Sequence, residues 1–428
     1  MKVSNKRNDL RNCLIFWLTQ SFSSLGSAMT SFALIVWSYQ QEGSALSTAL
    51  LSVCSYAPYV AMSIFAGAIS DRWNKKRILL WCDVFAAFST VVVLILLSAG
   101  RLELWHLYVV NAFSGLMNTV QQPASDVTKT LLTPPKHYQR MSGLYSFSSS
   151  LTSILSPVFA TVLLSFGGIG TVIAFDLMTF GAAFLSLMFL IRIPQDDSAG
   201  KKKEPVLKAA AEGLGYLRNN RGILDLIFFL AAINLTASIF NAAFPALVLS
   251  KADETALGTV NAVRGIAMIV GSLIASALPE PKSRVRAVCN TLLISMSTEN
   301  FLLAFGKSVP VWCLAEILGW LVIPIMNANL DVIMRSRIPV AVQGRVYACR
   351  NTLQFFTIPV GYLLGGWLVD AVFEPLMALQ SPDSLLCRIF GVGKGSGAAL
   401  LFLVIGFIGV MTCVVFRMDK HIWKLEIE

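Results

Sequence analysis

Apolar residues in this chain fall in long, nearly unbroken runs separated by short polar segments. A run of about 18 or more apolar residues is long enough to cross a bilayer as a helix. Twelve such spans are predicted, at 13–38, 45–69, 78–99, 103–123, 140–165, 169–191, 222–249, 256–278, 286–306, 309–333, 343–370 and 396–417. Ser, Thr and Gly recur inside them, which suits helices that pack closely in lipid. The stretch Gly361–Gly366 is one such packing surface. The first apolar run is too long for a signal-peptide core and reads as a retained first span. The pattern predicts an all-α membrane protein with twelve transmembrane helices.

Composition agrees: 55% of the 428 residues are hydrophobic and 14% are charged, against about 25% charged in a soluble domain. The net charge of +10 does not point to nucleic acid, because the basic residues gather at span ends and form no stripe interleaved with aromatics. They fall in alternate loops. If the N-terminus is inside, every Lys and Arg is cytoplasmic except Arg101, Lys251, Lys307, Arg388 and Lys394 in outer loops and Arg264 within span 8. That bias sets orientation, so both termini are expected in the cytoplasm and the protein in the cell (inner) membrane. The eight cysteines form no C-x-x-C pair and sit mostly in apolar runs. His106, His137 and His421 are far apart along the chain. No metal site and no cofactor is expected.

The longest inner loop, 192–221, divides the chain into halves at 1–191 and 222–428. It contains a candidate interfacial helix near Pro205–Leu217, able to lie along a membrane. Many transporters consist of two such repeats. An internal echo supports duplication: Asp126-Val127, Pro134 and Arg140 recur as Asp331-Val332, Pro339 and Arg345 at one constant offset. Two pseudo-symmetric six-helix bundles follow.

Between spans 2 and 3 stands Gly67-Ala-Ile-Ser-Asp71-Arg72-Trp-Asn-Lys75-Lys76-Arg77. Here the chain resembles the major facilitator superfamily, whose loop at this place reads G-x-x-x-D-R-x-G-R-K. It departs at Asn74, a residue that tolerates a left-handed backbone. The resemblance implies a cytoplasmic gate made of Gly67, Asp71, Arg72, Lys75, Asp126, Asp331 and Arg345. Asp71 would face the partly positive N-terminal end of span 11, and Lys75 would reach Asp126. A narrower likeness is to the macrolide-efflux and siderophore-export branch. It rests on Leu25-Gly-Ser-Ala-Met-Thr-Ser-Phe-Ala-Leu, Pro123-Ala, Ser156-Pro157-Val-Phe-Ala160 and Gly344-Arg345-Val346. Ser156, Ala160 and Thr161 replace glycines of the G-P-x-x-G-G stretch found in drug antiporters of the superfamily. The likeness implies export driven by proton entry.

The resemblance also implies a central cavity lined by spans 1, 4, 7 and 10. Rows at helical spacing suit that lining: Gln20, Ser24, Ser27 and Ser31; Asn111, Ser114 and Asn118; Asn234, Ser238 and Asn241. Interhelical hydrogen bonding is the competing role for these residues. Ionisable residues inside spans are costly and mark function by default. Arg264 and Glu316 each lie about 11 Å from the outer end of their spans at 1.5 Å per residue, and Glu299 is at similar depth. An Arg264–Glu316 pair would let Glu316 carry the proton and Arg264 hold substrate. A permanent structural pair, including Arg264–Glu299, is the alternative. Asp83 and Asp176 are expected to be structural, with Asp83 near the loop bases.

The expected function is a proton-coupled secondary transporter, working by alternating access, that exports a drug-like or natural-product small molecule as a monomer in the lipid bilayer. The substrate candidates are Gln20, Asn111, Asn118, Asn234, Asn241 and Arg264. Export of a siderophore or another anionic metabolite is an alternative favoured by Arg264. A lipid flippase would want apolar cavity walls, which the asparagines oppose. No H-E-x-x-H, paired catalytic carboxylates or Ser–His arrangement marks an enzyme. Gly391-Val-Gly-Lys394-Gly-Ser396 imitates a phosphate loop, but Arg388 stands where its first glycine belongs.

Overall fold

The computed structural model describes residues 6–134, 138–191, 193 and 206–427. The described elements are all helices: α1 (Lys6–Glu42), α2 (Ala45–Arg72), α3 (Lys75–Ser98), α4 (Leu104–Leu132), α5 (Tyr138–Leu185), α6 (Val206–Asn219), α7 (Arg221–Lys251), α8 (Glu254–Ala277), α9 (Arg284–Phe305), α10 (Val309–Trp320), α11 (Ile323–Arg337), α12 (Val340–Phe355), α13 (Thr357–Trp367), α14 (Glu374–Ala378), α15 (Leu385–Phe390), α16 (Ser396–Arg417) and α17 (Lys420–Ile427). Wider π-helical turns follow α5 (Ser186–Leu190) and α13 (Leu368–Phe373). The protein is an all-α, multi-pass membrane protein.

Nine helical stretches among the described residues are long and apolar enough to cross a membrane. One of them, Phe147–Leu190, holds two arms of α5 that break at Gly167 and at Gly168, whose φ is 68°. That break falls between predicted spans 5 and 6, at a conformation that favours glycine. Two expected spans are not among the nine. They lie on α1 and α4, which are 37 and 29 residues long but carry the polar rows noted above. Two boundaries also move. Span 4 was expected to end at Pro123, yet α4 runs on to Leu132; proline is tolerated inside membrane helices because neighbouring groups satisfy the freed carbonyl. Span 10 is interrupted, with α10 ending at Trp320 and α11 restarting at Ile323. Pro324 explains the break, since it cannot donate to the carbonyl of Trp320 and its ring crowds that residue.

Two compact units form: unit 1 is Met1–Trp37 with Cys54–Val206, and unit 2 is Ser38–Val53 with Leu207–Glu428. In unit 1 a core gathers Cys13, Phe16, Ile78, Leu79, Ala124 and Met141. Gly115 lets α4 approach α2, since a Cβ there would fall 2.1 Å from the Ser55 carbonyl oxygen.

In unit 2 a larger core runs from Leu217 through Phe229 and Val288 to Ile422. Gly361 and Gly365 of α13 meet the α7 backbone, where added Cβ atoms would lie 2.7 Å from Leu235 O and 2.8 Å from Ile239 O. Helix α6 does more than skim a surface. Leu217 is fully buried in the unit 2 core, and a Cβ at Gly213 would fall 2.6 Å from the Arg345 carbonyl oxygen.

The segment Ser38–Val53 joins unit 2 through Asp370. Its carboxylate accepts from Ser44 Oγ (2.6 Å), Ala45 N (3.0 Å) and Leu46 N (2.8 Å), which satisfies donors that the start of α2 leaves open. Glu374 does the same for α16, accepting from Gly395 N (2.9 Å) and Ala398 N (3.1 Å). The false phosphate loop is therefore a capping turn, with a carboxylate seated where a phosphate would bind. These contacts hold the two ends of the segment 370–396.

Candidate functional site

The site in unit 2 centres on Arg264 of α8. Its Nε donates to Glu316 Oε2 at 2.6 Å and its Nη2 donates to Glu316 Oε1 at 3.0 Å. Both carboxylate oxygens are thus engaged in a two-pronged, charge-assisted contact. Asn241 Oδ1 lies 3.5 Å from Arg264 Nη1. The guanidinium rests over three rings, with its central carbon 5.5 Å from Phe240, 5.0 Å from Phe244 and 4.9 Å from Trp320. Aromatic faces attract a cation most strongly when water is excluded. Glu316 is 0% exposed and the Arg264 side chain 16%.

Four helices build this cluster, and the sequence explains each contact. Arg264 and Gly271 lie seven residues apart, hence on one face of α8. A Cβ at Gly271 would fall 2.1 Å from the Leu321 carbonyl oxygen, so glycine lets α8 press against the α10–α11 break. Glu316 and Trp320 are four apart on α10 and share a face. Phe240, Asn241 and Phe244 come from α7. Broken helices beside a deep polar site are a recurring feature of transporters.

Glu299 of α9 completes the group. Its Oε1 accepts from the Trp320 indole at 2.7 Å, and it is 4% exposed. A Cβ at Gly319 would lie 2.6 Å from Glu299 Oε2, so α10 must be bare at that position to admit the carboxyl. The alternative pairing of Arg264 with Glu299 is not the one formed.

The other sequence candidates are more scattered. Asn234 donates to Gln354 O at 3.2 Å, which is helix–helix packing. Asn111 donates to Leu107 O at 2.9 Å within its own helix. Asn118 is exposed and Gln20 half-buried. Ser27 donates to Asp176 at 3.1 Å, so Asp176 serves packing within unit 1. Asp83 accepts from Gln121 at 2.9 Å, a neighbour on α4 where a loop base was expected.

Of the gate candidates, the side chains of Gly67, Asp71 and Arg72 lie outside the described residues. Lys75 is buried. Asp126 is exposed, pairs with Lys129 at 2.8 Å and accepts from Gln122. Asp331 is exposed and adds to the field at Arg350. Arg345 pairs with Glu212 of α6. Asn74 has φ −64° and caps α3 by accepting from Arg77 N at 3.2 Å. It therefore does not use a left-handed backbone; its role is that of a polar N-cap.

Sequence reasoning missed Trp320, Glu212 and Asp370. The first was signalled by its position four residues after Glu316. The other two partners are more than a hundred residues away along the chain and left no local mark. His421 was read only as too far from the other histidines for a metal site; its Nδ1 lies 3.3 Å from Asp225 and 3.4 Å from Asp419, a part-exposed polar cluster at the start of α17.

Comparison with known proteins adds the family. The Major Facilitator Superfamily model matches residues 16–247. Macrolide efflux protein A of Streptococcus pyogenes is 23% identical over 380 residues, covering 87% of this chain and 92% of that protein. The multidrug efflux pump Tap of Mycolicibacterium fortuitum is 24% identical over 400 residues, covering 90% and 95%. The enterobactin exporter EntS of Citrobacter koseri is 22% identical over 358 residues, covering 82% and 81%. Among solved structures, a bacterial homologue of the iron transporter ferroportin in an inward-facing state superposes with a TM-score of 0.69 at 14% identity, covering 95% of this chain and 98% of that one. That likeness speaks to the fold alone.

Proposed function

Because the chain belongs to the major facilitator superfamily, we propose that it is a proton-coupled exporter of a drug-like or natural-product small molecule. The buried Arg264–Glu316 pair carries this reading. Removing one partner from such a pair leaves a stranded charge, at a cost of about 3–5 kcal/mol. Protonating Glu316 also releases Arg264, and it does so reversibly. The freed guanidinium sits among Phe240, Phe244 and Trp320, a surface suited to a large, partly aromatic substrate. Transport then follows from exclusion. The Glu316 carboxylate and substrate compete for Arg264, because the guanidinium is free when Glu316 is neutral and engaged when the pair re-forms.

The named relatives favour the outward direction. Proteins called macrolide efflux protein, multidrug efflux pump and enterobactin exporter align along most of the chain. Orientation with both termini in the cytoplasm, residence in the inner membrane and function as a monomer complete the proposal. The gate of Gly67, Asp71, Arg72, Lys75, Asp126, Asp331 and Arg345 belongs to the same scheme. Its one addition from the structure is Glu212, which engages Arg345.

A second reading, export of an anionic siderophore-like metabolite, is favoured by the same guanidinium. Energised cells expressing the protein should accumulate less of a transported compound, and a protonophore should restore accumulation. Testing macrolides beside catecholates separates the two readings. Unchanged accumulation of both classes would remove the export assignment.

A further inference from the structure

The buried cluster holds two carboxyl groups but one cation. Glu299 lies against α10 at Gly319 and Trp320, the turn that follows Glu316, while Arg264 engages Glu316 through both oxygens. Charge balance requires a proton here. With both acids ionised the cluster would keep an uncompensated negative charge away from water, and buried groups avoid this by taking up a proton.

We infer that Glu299 and Glu316 share a single proton, carried by Glu299 in the state described, and that Glu299 is the site from which Glu316 is protonated. The atoms assign the positions. Glu299 Oε1 accepts from the Trp320 indole at 2.7 Å, which leaves Oε2 to bear the proton. Glu316 is held as a carboxylate by its two bonds to Arg264. Transfer moves one proton from Glu299 to Glu316, and nothing else is consumed. Glu299 becomes a carboxylate steadied by the Trp320 N–H, and Glu316 becomes a neutral acid that no longer holds Arg264 as an ion pair. Gly319 is part of the device, since any side chain there would push Glu299 away.

The titratable groups facing this dyad are Arg264 from α8, Cys313 from α10 and Tyr362 from α13. From α7 the polar neighbour is Asn241. Further charges on packed helices are engaged elsewhere: Arg337 of α11 with the Leu425 carbonyl, Arg417 of α16 with Asn290, and Asp331 near Arg350.

The inference rests on the proposal that Glu316 is a proton site, but its test is independent of transport. Infrared difference spectra of the full-length protein in lipid nanodiscs, recorded in H2O and D2O near neutral pH, report protonated carboxyls directly. The wild type minus Glu299→Gln spectrum should contain one deuterium-sensitive protonated-carboxyl band. Trp320→Phe should shift that band by removing the indole hydrogen bond, and it serves as the readout if Glu299→Gln does not fold. A null difference spectrum for Glu299→Gln, or an unshifted band in Trp320→Phe, overturns the shared proton. If the band behaves as expected while Glu316→Gln transports normally with proton coupling, the dyad stands and the coupling role falls instead.

Discussion

At the residue scale, Arg264 and Glu316 were the most legible feature of the chain. A charge inside an apolar run stands out because lipid imposes its cost directly. What the sequence left open was the partner. Glu316 and Glu299 lie at similar depths on different helices, and only packing decides between them. The structure chooses Glu316 because Gly271 and the α10–α11 break bring α8 against α10 there. If the pair is buried as described, Arg264→Ala or Glu316→Ala alone should destabilise the protein by about 3–5 kcal/mol, whereas the double change to Met and Leu should be nearly neutral. Thermal unfolding in detergent measures this. Equal losses from the single and double changes would mean that the pair is not buried. The double variant should be folded yet inactive in transport.

Glycine contacts are equally specific. Gly365 sits where a side chain would strike the Ile239 carbonyl at 2.8 Å. Gly365→Leu should cost about 1–3 kcal/mol by overpacking, while Gly215, with no atoms near its missing Cβ, should accept Ala with little change. Similar unfolding temperatures for the two variants would contradict the close α7–α13 seam. The Gly361–Gly366 surface could be read from sequence because Gly361 and Gly365, four apart, line one helix face. Its partner helix could not.

At the element scale, helix ends and interruptions carry much of the new information. The run 309–333 reads as one span because it is apolar from Val309 to Met326 apart from Glu316. Pro324 was visible in it, but membrane helices often continue through proline, as α4 does at Pro123. The same residue type thus breaks one helix and not another, and local sequence does not say which. Pro324→Ala should restore hydrogen bonding across Leu321 and Val322 and slow transport while leaving the protein folded. Unaltered transport would show that the break is not needed.

Capping was similarly hidden. Asp370 satisfies the start of α2 from more than 300 residues away, through three hydrogen bonds. Asp370→Ala should cost about 0.5–2 kcal/mol, the usual worth of an N-cap. Stability equal to wild type would mean that water replaces the carboxylate at no cost. Helix α6 was expected from its amphipathic pattern, and its burial against unit 2 was not, because the pattern of an interfacial helix and of a docked helix is the same.

At the scale of the whole molecule, the alternation of basic loops predicts a topology that residue contacts cannot supply. A cysteine at Lys394 should react with an impermeant thiol reagent from outside intact cells, and one at Lys202 should react only after lysis. Labelling in the opposite order would invert the molecule and, with it, the export scheme.

The central claim is that proton movement and substrate movement meet at Glu316, and it is tested most directly in proteoliposomes. With a pH gradient imposed across the membrane, addition of a transported macrolide or catecholate should dissipate the gradient in wild-type vesicles. Glu316→Gln should lose that dissipation at least tenfold while still binding substrate. Substrate-driven proton movement that persists undiminished in Glu316→Gln would contradict the account.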